Sequence, residues 1–183
     1  MAVHGFRRTA ADRVVLLVDD VEKGILTALL QQLLEFVAPA VEDEDPLVQL
    51  VGLDPKAKPS DDPAMARLFP DAYLDDPEAA AEYRRFTERS LRDLKIAQAQ
   101  TALATLQRSG SKVTLSLDEA GSWLGALNDL RLTLGSRLAI TEDGMDELAN
   151  LPDDDPRLPT FHVYDWLTFL QESLVQALMP ESR

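Results

Sequence analysis

Apolar positions recur at three- and four-residue steps in four long stretches of this chain, and most of these stretches carry their own start signal. The central one runs from Ser116 to Leu138, where Ala120, Trp123, Leu124, Leu127, Leu130, Leu134 and Leu138 fall on one side of a helix. Ser116 and Glu119 supply a capping box, each side chain able to bond the other residue's amide. Asp19 or Asp20 starts an earlier helix that reaches about Val37, with Ile25, Leu26, Leu29, Leu30, Leu33, Leu34 and Val37 in register and Pro39 ending it. Asp76, Pro77 and Glu78 open a longer helix to about Arg108, stopped by Ser109, Gly110 and Ser111. Tyr83, Phe86, Leu94 and Ala97 read as its apolar side. The last stretch, Phe161 to Leu178, has Trp166, Leu167, Leu170, Leu174 and Leu178 in line, widened by Phe169 and Val175. Such width predicts burial on two sides, either between the central helix and the long basic helix or across the two-fold axis of a homodimer.

Between the helices the pattern changes. Gly5–Arg8 and the Val/Leu-rich run Arg13–Val18 flank a short polar link and predict a β-hairpin. Residues 42–70 hold the EDEDP run with Pro55, Pro59, Pro63 and Pro70, an acidic Pro-rich connector in which only Leu47–Leu53 suggests a turn of helix or a strand, and from which Phe69 and Tyr73 anchor the chain to the body. Residues 141–160 form a second acidic loop, broken by proline. The fold expected is mainly α, a single domain over 1–183 built as a bundle of about four long helices with a small N-terminal β-hairpin and acidic loops.

Charge sharpens this picture. Residues 42–78 hold 11 acids against 3 bases and residues 141–160 hold 7 against 1, so these two segments together carry the whole formal charge of −14. Direct nucleic-acid binding is disfavoured, because phosphate contacts need clustered cations, and a protein partner is expected instead. The one basic concentration is Arg85, Arg89 and Arg92 on the long helix, with Arg84 and Lys95 close by. These arginines read either as a partner-contact face or as a solvated face tied up by four-residue pairs such as Glu88–Arg92.

On the central helix, Asn128, Asp129 and Arg131 interrupt the apolar side. Arg131 needs a carboxylate or carbonyl partner, for which Asn128 and Asp129 are nearest in sequence, and the cluster reads as either a packing device or a recognition site. Gly121 and Gly125 form G-x-x-x-G, a spacing that lets a neighbour pack closely.

Chemistry-bearing patterns are sparse. The chain has no cysteine, which excludes disulfides, thiolate metal sites and thiol switches. His4 and His162 stand in different elements without metal-site spacing, and no P-loop, dinucleotide fingerprint or nucleophile elbow occurs. Asp153, Asp154 and Asp155 lack the alternate spacing of a calcium loop and read as a solvated turn. No catalytic residue, metal or cofactor is expected, and the protein reads as a non-enzyme. Val14–Val18 is too short for a signal-peptide core or a membrane span, which predicts a soluble, cytoplasmic protein.

Three segments, DAYLDDPEAAAEYRRFTE (Asp71–Glu88), WLGALNDLRLTLGSRL (Trp123–Leu138) and YDWLTFLQESLVQAL (Tyr164–Leu178), make the chain similar to the actinobacterial domain-of-unknown-function family that includes an oxidative-stress transcriptional regulator. The resemblance implies a stress- or redox-responsive regulator of transcription that works through a sigma factor or RNA polymerase. Because family members tend to be encoded near the Clp adaptor ClpS, it implies as an alternative an accessory role in the Clp proteolytic system. A structural helical dimer is the third reading. A cysteine-pair sensor, the natural device for such a regulator, cannot operate here.

Overall fold

The computed structural model describes residues 4–9, 11–39, 60–73, 75–108, 110–140, 148 and 150–179. Among them the chain forms three short strands, β1 (Gly5–Arg8), β2 (Val14–Leu17) and β3 (Lys112–Leu115), and five helices, α1 (Asp20–Val37), α2 (Pro63–Leu68), α3 (Pro77–Gln107), α4 (Leu117–Arg137) and α5 (Leu158–Leu178). The fold is mainly helical, as the periodicity predicted.

The start signals act as read. Asp19 caps α1 and Ser116 caps α4, each in a complete capping box, with Glu22 and Glu119 returning the bond. Asp76 caps α3 ahead of Pro77. The predicted hairpin is present, Gly5 pairing Leu17 and Arg8 pairing Val14, but it is two-thirds of a sheet. β3, which the sequence reading lacked, pairs antiparallel with β2, so the order is β1-β2-β3. Two corrections follow from α2 and α5. Part of the expected connector is a helix, because Asp62 caps it and Pro63 stands at its first position, where a proline has no amide to lose. The Leu47–Leu53 suggestion lies outside the described residues. α5 packs on α4 and β1 rather than between α4 and α3.

The core is shared by α1, α3, α4, α5 and the sheet. Trp123 is fully buried, edge-on to Phe6 at 5.6 Å, and donates its indole N–H to the Thr105 hydroxyl at 2.8 Å. Two close approaches fix the packing. Gly5 has a φ of +105°, and a Cβ there would stand 3.1 Å from Ser173 Oγ and 3.2 Å from Phe169, so both the backbone and α5 require glycine. Gly125 meets the Gln98 side chain on α3, whereas Gly121 faces open space, so one glycine of the G-x-x-x-G pair is a packing contact. No helix among the described residues is long and apolar enough to cross a membrane.

Candidate functional site

The long helix α3 turns a different side to the body than its hydrophobicity suggested. Tyr83, Phe86 and Leu94 are 49%, 56% and 52% exposed, and Tyr73, expected as an anchor, is itself exposed, meeting Tyr83 edge-on at 6.0 Å. The buried side is made of Ala80, Arg84, Ala99, Ala102, Thr105 and Leu106. Small residues there let α1 and α4 approach closely, leaving no room for the aromatics.

Charged side chains hold the N-terminal half of that inner side. Arg84, only 7% exposed, donates to Glu88 at 2.7 Å, to Asp71 at 2.8 Å and to the Phe69 carbonyl at 3.0 Å. Burial pulls its pKa down, but hydrogen bonds and charge from Asp71 and Glu88 outweigh this and leave it above the ordinary value. Arg92 bonds Glu88 at 2.7 Å, satisfies the Val37 carbonyl at the end of α1 at 2.8 Å, and lies over the Phe69 ring at 4.4 Å. Phe69 is buried, as expected of an anchor. Ala38, Ser60, Met65, Phe69, Glu88 and the two arginines line a groove of about 240 Å³.

Further along, Lys95 reaches across to α4 and pairs with Asp129 at 2.7 Å, both side chains nearly buried. Burial pushes the Asp129 carboxyl up, and the pull of Lys95 and Asn128 offsets this only in part. Arg131 turns instead to α5, where it donates to Thr168 at 2.9 Å, Gln171 at 2.7 Å and Tyr164 at 3.4 Å and lies over the Tyr164 ring at 5.3 Å. The expected partnership of Arg131 with Asn128 and Asp129 is therefore corrected. Asp129 faces α3 and Arg131 faces α5, so each meets the helix that lies opposite it.

The structure thus separates the three arginines of the predicted contact face. Arg85 is exposed, Arg89 is half-buried, and Arg92 is engaged in internal contacts. Arg89, three residues after Phe86, borders the exposed apolar side, whereas Arg85 is turned away from Tyr83 and Leu94. Sequence reading missed the exposed Tyr83–Phe86–Leu94 side as a surface. The signal available was the alanine series, which marks where a helix can approach a neighbour.

Elsewhere, His4 Nδ1 lies 2.5 Å from the accepting Glu22 carboxylate, a pairing invisible in sequence because β1 brings residue 4 to the start of α1. His4, Asp19 and Glu22 place ligand-type atoms within 4.8 Å of one another. Both carboxylates are engaged as caps, however, at the positive end of the helix dipole, which opposes a cation. His162 is exposed. Asp155 accepts from the Arg157 amide at 2.8 Å and pairs with its guanidinium at 2.9 Å, which holds its carboxyl below the usual range, while Asp153 and Asp154 are exposed.

These features define a mainly helical domain edged by a three-stranded antiparallel sheet, with an aromatic side of α3 open to solvent. The chain belongs to the family described as domain of unknown function DUF2017, whose model matches residues 3–178. It is 37% identical over 149 residues to the oxidative stress regulator AosR of Mycobacterium tuberculosis, covering 74% of this chain and 67% of that protein, and equally so to AosR of Mycobacterium bovis. It is 34% identical over 187 residues to the putative oxidative stress regulator AosR of Mycobacterium leprae, covering 95% and 82%. No solved structure matches the chain.

Proposed function

We propose that this protein is a non-enzymatic regulator of the oxidative-stress response that acts by protein–protein contact with a sigma factor or RNA polymerase. The observation that carries the contact is the outer side of α3, where Tyr83, Phe86 and Leu94 are each about half exposed, with Arg89 one turn on from Phe86. Aromatic side chains and arginine are the residue types that dominate binding energy at protein interfaces. The names of its mycobacterial relatives supply the stress-regulator part of the reading. Lacking cysteine, this chain passes on a signal received by a partner rather than sensing oxidant through its own thiols.

The test is affinity capture on immobilised protein, with purified RNA polymerase core and sigma factors offered separately and Clp components as a further arm. Retention of polymerase or sigma factor by the wild type, and its loss in an Arg85→Glu/Phe86→Ser variant of unchanged melting temperature, is the expected result. Retention of Clp components alone would transfer the same surface to the proteolytic reading.

A further inference from the structure

Helix α5 carries a groove of its own. Its residues Thr168, Glu172 and Gln176 form one row and Gln171, Val175 and Met179 a second, each at four-residue steps, and together with Arg131 of α4 they line an open groove of about 350 Å³. Eight residues of helix give such a track a length of roughly 12 Å. Arg131 stands at one end, and the apolar Val175 and the 59%-exposed Met179 at the other.

The cation has an unusual setting. Every bond it makes is to a neutral group, the Thr168 hydroxyl, the Gln171 amide oxygen and the Tyr164 hydroxyl, and a guanidinium has more N–H donors than these three bonds use. Glu172 lines the same groove but forms no salt bridge with it. Arg84 and Arg92, by contrast, both bond carboxylates. In a chain with a formal charge of −14, an arginine held by neutral groups and facing a groove is set up for an external anion.

We infer that the α4–α5 groove binds an acidic segment of a partner protein, a carboxylate side chain pairing with Arg131 while a neighbouring apolar side chain lies on Val175 and Met179. An open track along a helix suits an extended peptide, whereas a small metabolite would call for an enclosed pocket. This inference is independent of the α3 reading, since it uses other elements and other residues.

The probe is a fluorescein-labelled octapeptide of alternating glutamate and leucine, compared with a glutamine-for-glutamate twin and with acetate, read by anisotropy and by amide NMR shifts. The expected result is saturable binding with shifts at residues 168–179, at least tenfold weaker for the glutamine twin, and far weaker for acetate. Arg131→Lys, which keeps the charge but loses the planar fork, weakens binding several-fold. Val175→Glu, on the half-buried wall, does so without touching Arg131, and Glu172→Gln tightens it. Equal affinity for the two peptides, shifts outside α5 and the neighbourhood of Arg131, or no saturable binding would overturn the inference. Acetate binding as tightly as the peptide would overturn the peptide occupant.

Discussion

The two sides of α3 invert what their residues suggest. On the inner side Arg84, Arg92 and Lys95 lie against Phe69, Glu88 and Asp129, packed among alanines; on the outer side Tyr83, Phe86 and Leu94 stand half in solvent. Hydrophobicity alone assigns the aromatics to the core. Geometry decides otherwise, because a helix crossed closely by two others needs small residues at the contact, and long cationic stems can cover an aromatic ring while their heads find carboxylates and carbonyls. An inner side built from charge is rigid only while every charge is paired, and an outer side built from apolar groups has little folding work to perform.

That contrast yields unequal effects for substitutions. Asp129→Ala strips the nearly buried Lys95 of its counter-ion and is expected to cost about 3–5 kcal/mol in urea denaturation, whereas Lys95→Met with Asp129→Leu returns stability to within about 1 kcal/mol of wild type. If the single change were harmless, the inner side would not depend on its charges. Because the folded Asp129 carboxyl lies above its ordinary value, its proton linkage favours the fold below the unfolded pKa and is lost as pH rises through the raised one. Both Asp129 variants lose that component of the pH profile.

Next in size is Trp123→Phe, which leaves the Thr105 hydroxyl, 1% exposed, without its indole donor at the base of α3 and costs about 1–3 kcal/mol by thermal unfolding. Glu119→Gln weakens the α4 capping box by about 1 kcal/mol at neutral pH. The bond from the Ser116 amide and then Arg108 hold the Glu119 carboxyl below 4.5, so its stabilisation is present above that value and fades as pH falls through the lowered one. Stability curves of wild type and Glu119→Gln therefore converge in acid. Smallest of all, Tyr83→Ser, Phe86→Ser and Leu94→Ser each shift stability by no more than about 0.5 kcal/mol, since none of the three is buried.

What the sequence revealed follows the range of each signal. Ser116 with Glu119, Asp76 with Pro77, and the runs after Asp19 and Phe161 are local, and the four long helices were legible from them to within about three residues at most ends. β3 was missed because four residues carry too little alternation and its partner β2 lies nearly a hundred residues earlier. α2 was hidden by Pro63, read as a breaker although it stands at a helix start. The partners of Arg131 and Asp129 depend on which helix lies opposite, a tertiary fact, so the side chains were identified as needing partners while the partners named were wrong. Arg85 and Arg89 were found as a charge cluster, but the apolar side of Tyr83, Phe86 and Leu94 was assigned to the core.

A contact role, rather than a folding role, is what we propose for the outer side of α3. It is tested most directly by measuring, on the same Tyr83→Ser/Phe86→Ser/Leu94→Ser variant, its melting temperature and its equilibrium affinity for purified RNA polymerase holoenzyme by biolayer interferometry. A melting temperature within a few degrees of wild type together with at least a tenfold loss of affinity is the outcome expected of a contact surface. Full affinity in the folded variant, or cooperative unfolding at a much lower temperature, would contradict it.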